Sequence, residues 1–175
     1  QESGPYPTLI ADLLDPESLE QAILDAKPDY IVHLAAISFV AHGSVAEIYQ
    51  VNQLGTINLL DAIRKNAPEV KKVLIASSAN IYGNTTALPI TELVPPVPVN
   101  HYGMSKVTME LATRLYADLP IVLSRPFNYT GCGQSPNFLI PKIVNAFGST
   151  IEKQTQTFEF GSGQRYVRFH KLQMK

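Results

Sequence analysis

Tyr30-Ile31-Val32-His33-Leu34-Ala35-Ala36 is a short apolar run that ends in small residues. Unbroken hydrophobicity over that length, after the Lys27-Pro28-Asp29 turn, reads as a strand buried in a parallel sheet. Val73-Leu74-Ile75-Ala76, closed by Ser77-Ser78, and Ile121-Val122-Leu123-Ser124 repeat the pattern downstream. Upstream, Thr8-Leu9-Ile10-Ala11 reads as a further strand, stopped by Asp12-Leu13-Leu14-Asp15-Pro16. Helical periodicity separates these runs. Glu17 to Ala26 forms one helix, with Asp15 as N-cap and Pro16 at the first helical position. Val45 to Ala67 forms a long one whose apolar positions Ile48, Val51, Leu59, Leu60 and Ile63 favour one side. A Pro-rich connection, Leu88 to Val99, leads into a third helix that contains the amphipathic run Lys106 to Ala117. Alternating strands and helices, with strands apolar throughout, predict an α/β fold whose parallel sheet is covered on both faces.

In such sheets ligands sit beyond the carboxyl ends of the strands. Those ends here are Asp12-Leu13, Leu34-Ala35-Ala36, Ser77-Ser78 and Arg125-Pro126-Phe127-Asn128. Small residues let a ligand approach the backbone, and hydroxyls and an amide can orient a sugar. Each loop also has a plainer reading: helix packing for Ala35-Ala36, a turn for Ser77-Ser78, a cap for Asn128. Four such loops at one sheet edge favour a site.

The third helix opens with His101-Tyr102-Gly103-Met104-Ser105-Lys106. Tyrosine and lysine four residues apart share one helix face, one turn from each other. An ammonium beside a phenol favours the phenolate and draws the tyrosine pKa from about 10 toward neutrality. Such a tyrosine can exchange a proton with a carbonyl or alcohol while a cofactor moves the hydride. A pattern this short recurs often on solvated helices, so its weight comes from the strand ends around it.

With 175 residues, 45% hydrophobic content and a net charge of −1, the chain has the composition of one globular domain. It lacks the basic excess that draws nucleic acid or an anionic membrane. Apolar runs stop well short of the roughly 20 residues of a membrane span, and Gln1-Glu2-Ser3-Gly4-Pro5 lacks the form of a signal peptide, so a cytoplasmic protein is expected. The single Cys132 excludes an internal disulfide. His33, His42, His101 and His170 are scattered, with no metal-ligand spacing.

The ordered set Ala11-Asp12-Leu13, His33-Leu34-Ala35-Ala36, Val51-Asn52-Gln53-Leu54-Gly55-Thr56, Ser77-Ser78-Ala79-Asn80-Ile81-Tyr82-Gly83, Tyr102-Gly103-Met104-Ser105-Lys106 and Arg125-Pro126-Phe127-Asn128 resembles the extended short-chain dehydrogenase/reductases, specifically the epimerase/dehydratase branch that acts on nucleotide-sugars. The resemblance covers roughly residues 8 to 147 and implies a Rossmann-like doubly wound sheet, with NAD or NADP as cofactor and a nucleotide-sugar as substrate. It implies Tyr102 as proton donor or acceptor, Lys106 as the group that lowers its pKa and holds the nicotinamide ribose, and Ser78 as the hydroxyl on the sugar oxygen. Asp12 and Leu13 would border the adenine, and Leu34, Ala35, Ala36 and Ser77 the cofactor's phosphate and ribose. Pro126 and Phe127 would lie against the nicotinamide, with Asn128 and Lys142 on the nucleotide-sugar. Asn52 is implied as a structural amide near the cofactor.

The 4,6-dehydratases of that branch carry a carboxylate two positions after the active hydroxyl. Ala79 and Asn80 follow Ser78 here, and neither is an acid or base. That leaves hydride transfer at C4, and the 125–142 segment looks most like the reductases of GDP-4-keto-6-deoxymannose. A 4-epimerase or a 4,6-dehydratase with displaced acids is the alternative, and a silent Rossmann-like binding module is the reading from another class. The family's first strands and glycine-rich turn are not found, and after Glu159-Phe160-Gly161 the expected Arg-Asp is replaced by a basic tail. The sequence is therefore expected to be truncated at both ends: residues 1–150 a partial dinucleotide-binding domain, 151–175 the start of a substrate region or an unrelated tail. Weak binding of NAD(P) by this chain alone is expected, and its open sheet edge predicts a homo-oligomer.

Overall fold

Asp15 opens the first helix as the sequence predicts. Its carboxylate accepts from the N–H groups of Glu17 (3.1 Å) and Ser18 (3.3 Å), Pro16 takes the first position, and α1 runs Pro16–Ala26. The computed structural model describes residues 7–38, 44–135, 140, 141 and 144.

Three parallel strands follow the predicted apolar runs: β1 (Tyr30–His33), β2 (Lys72–Ala76) and β3 (Ile121–Ser124), in the order β1-β2-β3. Ile31 pairs with Val73 and Val73 with Ile121, so alternate residues of all three strands share a face. On that face Ile31, Val73 and Ile75 join Leu19 and Ile23 of α1, Leu59, Leu60 and Ile63 of the next long helix, and Met109 in one buried core. Each such side chain contributes roughly 1.5–3 kcal/mol by leaving water. The other face is less covered than its apolar residues predict. Val32 and Leu74 are half-buried and Val122 is 43% exposed, because the described helices pack on the first face.

Three further expectations change. Thr8–Ala11 is not a strand: it joins no ladder of the described sheet, and Ile10 is 78% exposed. β1 stops at His33, which leaves Leu34-Ala35-Ala36 as loop past the strand end. The long helix is continuous but mixed, with α2 (Val45–Tyr49) and α3 (Gly55–Asn66) joined by a π turn at Gln50–Leu54. The helix carrying the Tyr-Lys pair is α4 (His101–Thr113), capped by Asn100, whose side chain accepts from the Gly103 N–H at 2.7 Å.

The described residues up to Phe127 form one compact unit, and Asn128 begins another. In the second, Gly131 to Gln134 form a tight turn with Gly133 at φ 77° and an exposed Cys132.

Candidate active site

The pairing of β2 with β3 continues past their ends. The Ser77 N–H donates to the Ser124 carbonyl (2.7 Å) and that of Ala79 to the Pro126 carbonyl (2.9 Å), which seats Ser77 and Ser78 beside Pro126. Ser78 then caps a single 3₁₀ turn, Ala79–Tyr82, where its Oγ accepts from the backbone N–H and the side-chain amide of Asn80, each at 3.2 Å. Both bonds use oxygen lone pairs, so neither consumes the hydroxyl proton. Gly83 closes the turn at φ 58°, with the Val97 carbonyl where a Cβ would stand.

Helix α4 docks on this turn through Gly103, where a Cβ would come within 2.6 Å of the Asn80 carbonyl oxygen. Tyr102, next to it, is buried. Lys106, one turn on, is 4% exposed and donates from Nζ to the carbonyl of Ala76, the last residue of β2, at 2.8 Å. Burial lowers its pKa from 10.5 to about 8, against an opposing pull from Glu110. The sequence-predicted Ser78 and Lys106 thus both stand at the end of β2, the serine just past it and the lysine bonded to its last carbonyl, with Tyr102 one helical turn from the lysine.

A buried polar chain supports this end of the sheet. Asn52, in the π turn, accepts from the Ile37 N–H (2.8 Å) and donates to the Ile37 carbonyl and to Ser105 Oγ (3.0 Å each). Ser105 donates to the Tyr102 carbonyl (2.7 Å), so one amide links the loop after β1 to the helix that carries Tyr102. Thr56 gives its only hydroxyl proton to the Asn52 carbonyl (2.8 Å), which leaves it an acceptor for His33 Nε2 at 3.0 Å. His33 is therefore neutral with its proton on Nε2. Desolvation, then the charge of Lys106, lowers its pKa to about 4.

Arg125 closes the other side. Its guanidinium donates to both carboxylate oxygens of Glu110 (3.0 and 2.7 Å), to the Tyr82 hydroxyl (2.9 Å) and to the Glu92 carbonyl (3.3 Å). The Tyr82 ring lies parallel to that of Phe127, 6.5 Å between centroids. Tyr82, Thr91, Glu92, Leu123, Arg125 and Phe127 line a recess of about 370 Å³.

Of the remaining predicted residues, Asp12 is exposed and its carboxylate accepts from the Leu14 N–H (2.9 Å), a local turn bond. Leu13 is half-buried and its carbonyl accepts from the Asn58 amide (2.9 Å). Leu34 is exposed and Ala35 and Ala36 are partly so, which keeps that loop approachable. Asn128 is exposed, and Lys142 lies outside the described residues. Sequence reasoning passed over Glu110 and its ion pair with Arg125; the spacing Lys106-x-x-x-Glu110 was the available signal. Ser77 Oγ is buried with no hydrogen-bond partner among the described residues, at the strand end where a ribose hydroxyl could pair with it, so the donors present suit a nicotinamide dinucleotide. Among the described residues no His, Cys or carboxylate cluster could hold a metal, and no helix is long and apolar enough to cross a membrane.

The family model described as GDP-mannose 4,6 dehydratase matches residues 2–171. The chain is 42% identical to a GDP-6-deoxy-D-talose 4-dehydrogenase of Aggregatibacter actinomycetemcomitans, over 86% of this chain and 50% of that protein. It is 37% identical to a GDP-6-deoxy-D-mannose reductase of Pseudomonas aeruginosa, over 74% of this chain and 44% of that protein. The fold matches the NADPH complex of RMD from Pseudomonas aeruginosa with a TM-score of 0.71 at 34% identity, covering 82% of this chain and 49% of that one. The chain therefore spans about half the length of the curated relatives it matches.

Proposed function

Because the chain belongs to the GDP-mannose 4,6 dehydratase family of nucleotide-sugar enzymes, we propose that it carries the acid–base part of an oxidoreductase acting at C4 of a GDP-linked 6-deoxyhexose. The observation that carries this reading is the bond from Lys106 to the last carbonyl of β2, two residues before Ser78, with Tyr102 one turn from the lysine on a helix docked against the Ser78 turn. In the reductive direction Tyr102 gives its proton to the oxygen of the C4 carbonyl as that oxygen becomes an alkoxide. Ser78, held by Asn80 with its own proton unused, donates to the same oxygen and orients it. Lys106 places positive charge where the phenol loses its proton, and solvent then restores the phenol. NAD(P), when bound, supplies or accepts the hydride. Asp12, Leu13, Leu34, Ala35, Ala36, Ser77, Pro126 and Phe127, with Tyr102 and Lys106, would hold it, and Asn128 and Lys142 would contact the nucleotide-sugar.

Dehydration is disfavoured on a specific ground. Ala79 has no proton to move, and the Asn80 amide is engaged on Ser78. A 4-epimerase would use the same three side chains, and cofactor consumption separates the two: a reductase consumes NAD(P)H and an epimerase recycles it. The test uses the protein expressed from its complete reading frame, given a GDP-4-keto-6-deoxyhexose with NADPH or NADH while nicotinamide absorbance is followed. Turnover is expected, and Tyr102→Phe lowers kcat by roughly 10²–10⁴-fold while its far-UV circular dichroism stays that of the folded protein. Full activity in Tyr102→Phe would remove the proposed chemistry. A binding module would be indifferent to that hydroxyl.

A further inference from the structure

One pair outside the acid–base group touches each segment that builds the site. Arg125, just past β3, holds Glu110 of α4 through two bonds, the hydroxyl of Tyr82 at the close of the Ser78 turn, and the Glu92 carbonyl in the Pro-rich connection. Glu110 stands four residues beyond Lys106, one turn on along the same face of α4, and both are buried. A carboxylate in such a place is tolerated only when paired. Arg125 pairs it directly. Among the described residues, His33 of β1 and Glu110 of its own helix interact with the Lys106 charge and the Ala76 carbonyl of β2 accepts from its Nζ, while Tyr102 stands one turn before it on α4. Glu110 is the carboxylate that acts on it.

We propose that Glu110 and Arg125 are positioning residues of the site described above: Arg125 locks α4 to the Ser78 turn, and Glu110 is the counter-ion that keeps the buried Lys106 ammonium charged. The inference rests on the reading of Tyr102 and Lys106 as an acid–base pair. Two consequences differ between the partners. Removing the Glu110 charge changes the electrostatics at Lys106, whereas replacing the Arg125 fork keeps that charge and loosens the geometry.

The test follows the ionisation of Lys106 by NMR of isotopically labelled lysine side chains in the protein without cofactor or substrate, the resonance being assigned by its loss in Lys106→Arg. In the unaltered protein Lys106 titrates near pH 8. Glu110→Gln moves that midpoint down by roughly one pH unit and carries the basic limb of the pH–rate profile with it. Arg125→Lys leaves the midpoint in place and lowers kcat by about tenfold to a hundredfold with little change in KM. An unmoved Lys106 midpoint in Glu110→Gln overturns the counter-ion role, and an unaltered kcat in Arg125→Lys overturns the positioning role. Should Glu110→Gln fail to fold, Glu110→Asp replaces it: drawing the carboxylate back is expected to lower the Lys106 midpoint, and an unmoved midpoint there overturns the counter-ion role in the same way. The titration is read without turnover, so full activity in Tyr102→Phe would end the oxidoreductase reading and leave the ion-pair result standing.

Discussion

Two arginines in this chain make nearly the same set of contacts in different surroundings. Arg64, in the last turn of α3, meets both oxygens of Asp118 (2.8 and 2.7 Å), bonds the Leu115 carbonyl and lies 4.2 Å from the Tyr116 ring centroid. Arg125 meets both oxygens of Glu110, bonds the Glu92 carbonyl and lies 5.3 Å from the Tyr82 centroid. The side chains of the first pair are 40% and 54% exposed, those of the second 23% and 9%. Fork geometry is therefore not what distinguishes them. Water screens Arg64 and Asp118 whether paired or not. Glu110 has lost its water and depends on its partner.

The largest effect that separates the two is stability after truncation of the acid. Glu110→Ala leaves the partly buried Arg125 guanidinium without its carboxylate, and urea unfolding should register a loss of about 3 kcal/mol. A loss no greater than that of Asp118→Ala would erase the distinction. Acid gives the next effect, at the buried end of the sheet. His33 has a folded pKa of about 4 against 6.5 when free, so between these values the unfolded chain binds the proton that the folded chain refuses. Stability should fall as pH drops from 6.5 to 4, by up to roughly 3 kcal/mol. Asp118 is held below its ordinary 3.8 by Arg64 and stays charged across that window. On the alkaline side the sign is the same for Lys106, which releases its proton near 8 when folded and at 10.5 when unfolded, so its burial penalty lifts as pH rises between them. His33→Gln should flatten the acid limb; an undiminished limb would place its origin elsewhere. The smallest effect belongs to the exposed pair. Asp118→Asn should leave the urea midpoint within experimental error in high salt, where surface charges are screened over a few ångströms, and a clear salt-resistant loss would show that Arg64 acts as more than a surface contact.

What could be read from the chain beforehand follows from the range of the forces involved. Asp15-Pro16 at a helix start and the apolar runs of β1, β2 and β3 are local signals, and local geometry obeyed them. Thr8–Ala11 has the same composition as a strand, but a ladder needs a neighbour, and its own residues say nothing about one. Tyr102 and Lys106 were legible because one helix carries both. Arg125 and Glu110 are 15 residues apart, Arg125 and Tyr82 are 43, and Asn52 and Ser105 are 53, so no periodicity within an element encodes those bonds. His33 is one of four scattered histidines in the sequence, and its bond to Thr56 is visible only in the fold. Its sensitivity to Lys106 became visible only when β1 and α4 were brought together.

The π turn at Gln50–Leu54 carries an implication for how this segment tolerates insertion and deletion. Such a turn holds one residue more than an α-helix needs. Deleting one residue there would tighten the coil to ordinary pitch and leave α2 and α3 in phase, so Ile48 and Leu59 would keep their places in the core. What would be lost is the seat of Asn52, whose amide reaches both Ile37 and Ser105 from within the turn. A deletion in the α-helical part on either side would instead rotate one half-helix by about 100° against the other, so within this helix the π turn is where a lost residue spares the apolar face and breaks the polar link.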